Sequence, residues 1–561
     1  MRPYLASLMF AAAAVLTVPA IAKDKRKEQA PAAAPAPDAP KLILAISVDQ
    51  FSADLFARYR RFYVAGLKRL QDGAVFPSGY QSHAATETCP GHSTLLTGVH
   101  PARSGIIANT WFELDSTRGT KPIYCAEDER DPSSSPKNPV VSAWHLRVPT
   151  LGDRFKAAYR GSRNVAVSSK DRAVMMMGGH DIDAAYWWKG GAFVTLAGRK
   201  IAPEAAKASA EAAAGIAAGG PAFAVPEWCG PRDRAIAVGK ASVGTGHFAM
   251  EPGSEAAFRA SPRADAAVAD LAIALVDGMK LGQGKAPDVL SVSFSATDYV
   301  GHGFGTEGVE MCIQQAELDK SIGRLLDSLD AKGIDYAVVL SADHGGFDLP
   351  ERHDQQALPA AARVDADLTP LKLAEAVKAR TGIAATDGLV FADGANGDYY
   401  VSHALSAGDR AKALAALAEI LRAHPQVEAV LTKDEIAAAP HPTGSPQDLT
   451  LLERARESFD PERSGDLVVL LKRAVVPIAD GGRGYVATHG SPWDYDRRVP
   501  MLFWRKGLTG FEQPSPVETV DIAPTLAALV GLKVPEGDFD GRCLDIDGGE
   551  GDSCGAPSKL R

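Results

Sequence analysis

The chain has 561 residues, of which 46% are hydrophobic and 23% charged, a composition typical of a globular protein rather than a disordered or fibrous one. Its formal net charge is −9, from 60 basic and 69 acidic residues, and the sequence contains no long basic run or stripe. These features disfavour nucleic acid as an electrostatic partner.

The N-terminus has the pattern of an export signal. Arg2 supplies positive charge, the apolar stretch 5–18 is too short to span a membrane, and the tripeptide AIA at 20–22 is a small-x-small cleavage pattern. We predict a signal peptide over residues 1–22, cleavage after Ala22, and a periplasmic or secreted protein. Residues 23–40 turn from charged to Ala/Pro-rich, which predicts a solvated linker. No later segment has the roughly 18 unbroken apolar residues of a spanning helix, so we expect no membrane anchor.

The rest of the chain alternates between strand and helix patterns. Short apolar, β-branched runs predict buried parallel strands at 42–48, 164–169, 288–295, 335–341, 466–471 and 500–504. Ala/Leu-rich helical patterns lie between them, at 262–279, 307–329 and 411–421. This alternation predicts an α/β fold, a doubly wound and mostly parallel sheet with helices on both faces. We expect residues 41–561 to form a single domain, with inserted cap elements around 173–253 and 351–463.

Six cysteines fit an oxidising compartment, although six allow 15 pairings. Proximity favours only Cys543–Cys554, because the Gly/Asp-rich segment between them can close a loop. Cys89 is expected to be a bridged structural residue rather than a reactive thiol.

Three of the predicted strands run into carboxylates. The strand at 42–48 leads to Asp49, the strand at 288–295 to Asp298, and the strand at 335–341 to Asp343 and His344. Ligands bind outside the carboxyl ends of strands in open α/β sheets, so we expect these side chains to meet there. A single Asp at a strand end is usually a turn or cap residue, but three buried together are costly unless cations neutralise them.

Two further histidines are candidate ligands. His302 lies four residues after Asp298, and His489 stands in THGSP shortly before the strand at 500–504. The other ten of the thirteen histidines are interpreted as surface or core residues. Asp oxygens combined with His nitrogens suit zinc better than calcium, which prefers oxygen alone.

The segment ATETCPGHSTLLTG at 85–98 predicts a helix that starts at Pro90 and ends before Gly98. Thr88 then lies at or just before the helix cap, and a capping threonine is the commoner use of this pattern. The functional alternative makes the Thr88 hydroxyl a nucleophile beside a metal ion. Free N–H groups and the helix dipole at that end would stabilise the phosphoryl group it acquires.

Four segments together resemble the alkaline phosphatase superfamily: TETCPGHSTLLTGVHPARSGIIANTWF, SATDYVGHGFG, SADHGGF and ATHGSPWDYDRRVP. Within it they are similar to the bacterial phosphate-irrepressible, threonine-nucleophile alkaline phosphatases of sphingomonads and flavobacteria. The segment DIAPTLAALVGL resembles the C-terminal part of the same superfamily. The resemblance covers residues 41 to about 542.

The resemblance implies two zinc ions per chain and a phosphomonoesterase that forms a covalent phosphothreonine on Thr88. One zinc would be held by Asp49, Asp343 and His344 and would also bind Thr88. The other would be held by Asp298, His302 and His489. Asn109, Lys170 and Arg172 match the family residues that bind the phosphate oxygens. The latter two, at i and i+2 of a predicted extended segment, are expected to face the same pocket.

Two alternatives remain open. A phosphodiesterase or nucleotide pyrophosphatase of the same superfamily would share the ligands and the threonine but typically lacks the Lys-x-Arg pair at 170–172. A non-catalytic, zinc-stabilised phosphate-binding protein would have no need of Thr88. The expected partners are small phosphomonoesters, and the sequence does not distinguish a monomer from a homodimer.

Overall fold

The computed structural model describes residues 34–555. Its strands, in chain order, are β1 Leu42–Val48, β2 Ala74–Tyr80, β3 Thr110–Phe112, β4 Pro122–Tyr124, β5 Asn164–Ser168, β6 Ala184–Lys189, β7 Ala192–Val194, β8 Ile236–Val238, β9 Ala241–Val243, β10 Asp288–Phe294, β11 Tyr336–Ser341, β12 Ala362–Arg363, β13 Val390–Phe391, β14 Gly397–Val401, β15 Val427–Thr432, β16 Leu467–Leu471, β17 Val475–Val476, β18 Arg498–Arg505, β19 Phe511–Glu512 and β20 Val517–Glu518.

The α-helices, in chain order, are α1 Ala53–Tyr59, α2 Gly66–Leu70, α3 Thr88–Thr97, α4 Pro101–Ser104, α5 Leu151–Ala158, α6 Asp171–Gly178, α7 Pro203–Ala218, α8 Glu255–Arg259, α9 Pro262–Met279, α10 Ala296–Phe304, α11 Val309–Ala331, α12 Pro350–Asp354, α13 Pro370–Thr381, α14 Ala407–Ala423, α15 Lys433–Ala438, α16 Leu451–Glu457, α17 Asp494–Arg497 and α18 Ile522–Leu529. Short 3₁₀ helices lie at Arg60–Phe62, Glu227–Arg232, Ala366–Leu368, Gly481–Arg483 and Thr519–Asp521.

The central sheet has ten strands in the order β19-β2-β18-β11-β1-β10-β5-β6-β7, with β20 also paired to β2. The strands β11, β1, β10, β5 and β6 are mutually parallel. In the register of these pairs Val48 lies beside Phe294 and Ser47 beside Ser341, so β1, β10 and β11 end at the same edge. The predicted mostly parallel sheet is therefore confirmed, and its central strands deliver their following residues to one place.

The two faces of the sheet are covered by separate helical layers. Along β1, Leu42, Leu44 and Ile46 pack into one core cluster with α9 and α11, whereas Ile43 and Ala45 pack into another with α5 and α18. This period-two alternation is what a strand buried on both faces requires. The predicted doubly wound architecture is thereby confirmed.

Two predicted strands differ in their placement. The strand at 500–504 is part of β18, which runs antiparallel between β11 and β2 rather than parallel to them. The strand at 466–471 is β16, which lies in a separate four-stranded sheet of order β13-β14-β16-β15. An apolar run identifies a buried strand but carries no information about its direction or its sheet, because those depend on distant pairing partners.

The predicted cap elements are only partly separate from the central sheet. The region 173–253 contributes β6 and β7 to the end of that sheet, so its first part is not an insertion. The region 351–463 does build a smaller unit, in which α13 and α14 pack on the four-stranded sheet around their own apolar cluster. That unit extends beyond 463, because β16 at Leu467–Leu471 completes its sheet.

The predicted signal peptide at 1–22 and the linker residues up to 33 lie outside the described residues. The end of the predicted linker is packed rather than solvated, since Ala36 N donates to Val530 O and Ala39 is buried. Within residues 34–555, no helix combines the length and the apolar composition that crossing a bilayer demands. The six cysteines form three pairs in the structure: Cys89–Cys125, Cys229–Cys312 and Cys543–Cys554.

Candidate active site

Side chains from three strand ends and one later loop meet at the carboxyl edge of the central sheet. Asp49 follows β1, and Asp343 with His344 follows β11. The helix α10, which follows β10, carries Asp298 and His302 four residues apart on one face. His489 reaches the same place from the loop before α17. All six predicted metal ligands are therefore close together.

The donor atoms form two groups in which they lie within 4.8 Å of one another. The first group is Asp298, His302 and His489, the set predicted for one zinc. In it, His302 Nε2 and His489 Nε2 lie 3.2 and 3.4 Å from Asp298 Oδ1. This arrangement offers one carboxylate oxygen and two ring nitrogens to a single point.

The second group is Asp49, His344 and, again, Asp298. His344 Nε2 lies 3.5 Å from Asp49 Oδ1 and 3.3 Å from Asp343 Oδ2. Asp343 was predicted as the third ligand here, and it stays beside the group while its Oδ1 accepts from the backbone N–H groups of Gln50 and His344. Asp298 belongs to both groups, a sharing that the sequence did not indicate.

In each of the three histidines, Nδ1 lies within hydrogen-bond distance of a backbone carbonyl oxygen. His302 Nδ1 lies 2.9 Å from Ala487 O, His344 Nδ1 2.8 Å from Gly345 O, and His489 Nδ1 2.8 Å from Thr86 O. A carbonyl only accepts hydrogen bonds, so Nδ1 carries the proton in each ring. The Nε2 lone pairs then point toward the carboxylates, which is the usual orientation of metal-binding histidine.

Several buried donor atoms of these groups have no hydrogen-bond partner among the described residues: Asp49 Oδ1, Asp298 Oδ1 and His344 Nε2. Buried polar atoms are normally paired, so this convergence of unpaired oxygens and a ring nitrogen fits metal ions. Burial and the neighbouring Asp343 raise the pKa of Asp49 well above its usual range. Bound cations would relieve this repulsion between carboxylates.

Thr88 opens α3 and is fully buried. The predicted start at Pro90 was two residues late: Glu87 is the N-cap and Pro90 is the third helical residue. Proline is tolerated there because first-turn N–H groups have no partner within the helix. Gly98, at φ 71°, ends the helix as predicted.

The helix α3 contacts the strand end after β11 directly. A Cβ at Gly91 would lie 1.9 Å from the carbonyl oxygen of Asp343, so only glycine permits this approach. His92 lies between the same two elements, with Nδ1 2.9 Å from Thr88 O and 3.0 Å from Asp343 Oδ2. Sequence reasoning did not identify His92, although its position four residues after Thr88 in the same helix was a usable signal.

Lys170 and Arg172 both face this region. The segment that contains them was predicted to be extended, but only Lys170 is: it is the N-cap of α6, and Arg172 lies in the first turn of that helix. Lys170 Nζ lies 2.5 Å from Asp49 Oδ2 and 2.6 Å from Asp298 Oδ2, and Arg172 Nη2 donates to Thr88 Oγ1 over 3.3 Å. The pair therefore connects the candidate metal groups to the threonine hydroxyl.

Asn109 is fixed on the N-terminus of α3 by two hydrogen bonds. Its Oδ1 accepts from Cys89 N at 2.8 Å, and its backbone N donates to Glu87 Oε2 at 2.7 Å. The side-chain oxygen is thus engaged, which leaves the amide NH₂ to donate to an anion. Glu87, the half-buried carboxylate before Thr88, was not identified from the sequence.

The buried histidines predict a loss of stability in acid. Burial lowers the pKa of His344, and burial together with His344 lowers the pKa of His489 well below its usual range. In the unfolded chain, both histidines become protonated below about pH 6.5, whereas in the folded chain they stay neutral to lower pH. For chelated protein, we expect the free energy of unfolding to fall by up to about 1.4 kcal/mol per pH unit for each such histidine.

Urea unfolding between pH 8 and pH 5 measures this slope. The variant His489→Gln is expected to show a shallower acid loss, while His403→Gln, at an exposed histidine paired with Asp115, is the matched control. If the free energy of unfolding fell equally with pH in all three proteins, the lowered pKa of His489 would be contradicted.

The family model described as type I phosphodiesterase / nucleotide pyrophosphatase matches residues 43–492. The chain is 52% identical to alkaline phosphatase PhoK of Sphingomonas, over 92% of both chains. It is 48% identical to alkaline phosphatase PhoD of Zymomonas mobilis, over 92% of this chain and 89% of that one.

Two solved structures share the fold. The crystal structure of alkaline phosphatase PafA is 24% identical, with a TM-score of 0.79 over 91% of this chain and all of that one. Murine ectonucleotide pyrophosphatase / phosphodiesterase 5 is 14% identical, with a TM-score of 0.51 over 88% of this chain and 96% of that one.

The chain therefore belongs to the type I phosphodiesterase / nucleotide pyrophosphatase family. It is also a member of the alkaline phosphatase superfamily, of the PhoK and PafA type, and it is an enzyme.

Proposed function

We propose that this enzyme is a zinc-dependent alkaline phosphatase that hydrolyses phosphate monoesters through a covalent phosphothreonine on Thr88. The observation that carries the proposal is the hydrogen bond from Arg172 Nη2 to Thr88 Oγ1. It joins a cation suited to phosphate with a buried hydroxyl at a helix N-terminus, next to two groups of metal donors.

The reaction has two displacements at phosphorus. The Thr88 hydroxyl first loses its proton as its oxygen bonds to phosphorus, and the bond to the leaving oxygen breaks with its electron pair. The leaving oxygen takes up a proton, so the alcohol is released and no net proton is gained or lost in this step. Water then attacks the phosphothreonine, restores the Thr88 hydroxyl and releases inorganic phosphate. This route splits one difficult hydrolysis into two easier steps.

The protein's own groups hold the phosphoryl oxygens during both steps. Lys170, Arg172 and the Asn109 amide would donate to the non-bridging oxygens, beside the N-terminus of α3. Two zinc ions, one in each donor group, would supply Lewis-acid stabilisation of the attacking and leaving oxygens. His92 Nδ1 contacts both the Thr88 carbonyl oxygen and Asp343 Oδ2, and so fixes the position of Thr88 relative to Asp343.

A phosphodiesterase is the second candidate, because the matching family model is described by that activity. The Lys170–Arg172 pair favours the monoesterase. A monoester presents a dianionic group with three non-bridging oxygens, which an arginine fork and a lysine point charge suit. A diester replaces one of those oxygens with an alkylated one and has fewer contacts to offer.

The double variant Lys170→Ala/Arg172→Ala tests this choice. Hydrogen bonds to charged groups contribute about 1.5–3 kcal/mol each, so their loss is expected to lower kcat/KM for an aryl phosphate by roughly 10²–10⁴-fold. The loss for a bis-aryl diester should be much smaller, while the metal content stays unchanged.

Arg160 and Lys200 supply a charge-matched control. Both are exposed, and replacing them by alanine removes the same net charge without touching the site. That control is expected to keep both activities. Equal losses for monoester and diester in the Lys170/Arg172 variant would instead make the pair general scaffolding and remove the main support for a monoesterase.

We also propose that the enzyme is exported. The signal pattern at 1–22 supports this, as do the three cysteine pairs, because disulfides persist in oxidising compartments. Fractionation of cells expressing the full chain tests it: mature protein beginning at Lys23 is expected outside the cytoplasm. Full-length protein retained in the cytoplasm would contradict it.

A further inference from the structure

A second cavity, of about 390 Å³, shares no lining residue with the candidate active site. It lies where the end of α1 and the 3₁₀ helix Arg60–Phe62 meet the 3₁₀ helix Glu227–Arg232 and α12. Five arginines contribute to its lining: Arg58, Arg61, Arg232, Arg234 and Arg352. Such a concentration of one charge in one cavity stands out in a chain whose net charge is −9.

Two of these arginines are neutralised by carboxylates. Arg58 pairs with Glu307 at 3.0 Å, and Arg352 pairs with Asp348 at 2.5 Å. For Arg61, Arg232 and Arg234, the structure of residues 34–555 shows no carboxylate oxygen within 4 Å. These three guanidinium groups therefore have no ion pair among the described residues, although Arg232 lies near enough to Glu307 to help lower the pKa of that carboxyl. An anion in the cavity would stabilise the arginines that line it.

The walls that carry these arginines are fixed to each other. The ring of Phe62 stacks on that of Trp228, with centroids 4.5 Å apart and planes 4° from parallel. The Cys229–Cys312 pair ties the segment that carries Arg232 to α11. Arg232 Nη1 in turn donates to the carbonyl of Glu307 at 3.1 Å. A cavity held in this way loses little conformational entropy when it binds a ligand.

We propose that this cavity binds a compact oligophosphate anion, either pyrophosphate or the diphosphate tail of a nucleotide, through Arg61, Arg232 and Arg234. The planar guanidinium fork matches the geometry of phosphate oxygens. Each phosphate group carries about 1.5 to 2 negative charges, so a diphosphate balances three free arginines. The cavity volume falls within the range of small-molecule sites, about 300–1,000 Å³.

The cavity would bind without reacting. Neither metal-donor group found among the described residues includes a residue of its lining. The proposal does not depend on the phosphatase assignment, since none of its arginines contacts Thr88 or the proposed metal ligands in the structure. An active site without phosphatase activity and an empty arginine cavity are therefore separate experimental outcomes.

Equilibrium dialysis of labelled pyrophosphate against the metal-loaded Thr88→Ala protein tests the proposal, since this background prevents turnover. We expect two sites per chain, one of them the active site. The variant Arg61→Gln/Arg232→Gln/Arg234→Gln is expected to weaken the second site at least about a hundredfold, since each lost charge-assisted contact costs about tenfold or more.

The control Arg160→Gln/Arg380→Gln/Arg483→Gln removes the same charge from exposed positions and should keep both sites. Orthophosphate should bind the second site more than tenfold weaker than pyrophosphate. If adenosine diphosphate binds the second site more tightly than pyrophosphate, the ligand is a nucleotide. If the two bind equally, the ligand is inorganic pyrophosphate.

The proposal is overturned if the pocket variant, made in the Thr88→Ala background, binds pyrophosphate at as many sites and as tightly as its Thr88→Ala parent does. An equal loss in the charge-matched control would overturn it as well. When the three arginine substitutions are made without the Thr88→Ala change, the protein should retain full aryl phosphatase activity, which verifies that it is folded.

Discussion

Replacement of Thr88 by alanine is expected to lower kcat/KM for an aryl phosphate by roughly 10⁴–10⁶-fold, the scale on which removal of a covalent nucleophile acts in other hydrolases. The structure offers no obvious substitute in the same helix. Ser93 Oγ donates to Pro90 O, and Thr94 Oγ1 donates to Gly91 O, so both hydroxyls are engaged with backbone carbonyls. Thr88 Oγ1 instead accepts from Arg172.

The conservative variant Thr88→Ser separates chemistry from packing. Serine keeps the hydroxyl, so we expect appreciable activity and the same metal content as in the natural chain. Acid quenching during turnover should trap phosphate on the peptide that spans Thr88, with the modified residue located by fragmentation. Phosphate on Ser93 or Thr94, or unchanged turnover in Thr88→Ala, would contradict the nucleophile assignment.

Metal removal has the second large expected effect. A chelator should abolish activity, and zinc should restore it, with about two zinc ions bound per chain. Because the unfolded chain lacks these preformed sites, bound metal also stabilises the fold, by about 4 kcal/mol when free metal exceeds Kd a thousandfold. Activity assays and unfolding of the chelated and reloaded protein measure both effects.

The shared position of Asp298 makes the metal prediction sharper. His302→Ala affects one donor group and should lower the bound metal from about two ions to about one. Asp298→Asn affects both groups and should lower the affinity of both ions. The exposed His403, outside the site, is the matched control and His403→Ala should keep two. Retention of two tightly bound ions in Asp298→Asn would contradict the sharing of this carboxylate.

Much of the site could be predicted because the parallel strands bring their following residues to one edge. Asp49, Asp298 and Asp343 each follow an apolar strand that the sequence shows clearly, and the register of β1 with its neighbours then makes their meeting unavoidable. The start of α3 was misplaced only because proline is permitted at more than one first-turn position. Local chemistry was sufficient for these features.

The features that escaped prediction depend on long-range packing. The direction of β18 and the sheet to which β16 belongs are set by partners far along the chain. The sharing of Asp298 and the place of His92 between Thr88 and Asp343 depend on how α3 and α10 approach the strand ends. The glycine at 91 decides that approach, yet its role is visible only once Asp343 lies against it.

The central claim is a metal-dependent monoesterase, and one comparison tests it most directly: hydrolysis of an aryl phosphate and of its bis-aryl diester by purified protein, with zinc and after chelation. The account predicts a kcat/KM for the monoester well above that for the diester, and loss of both activities on chelation. A preference for the diester, or full activity in verified metal-free protein, would contradict it.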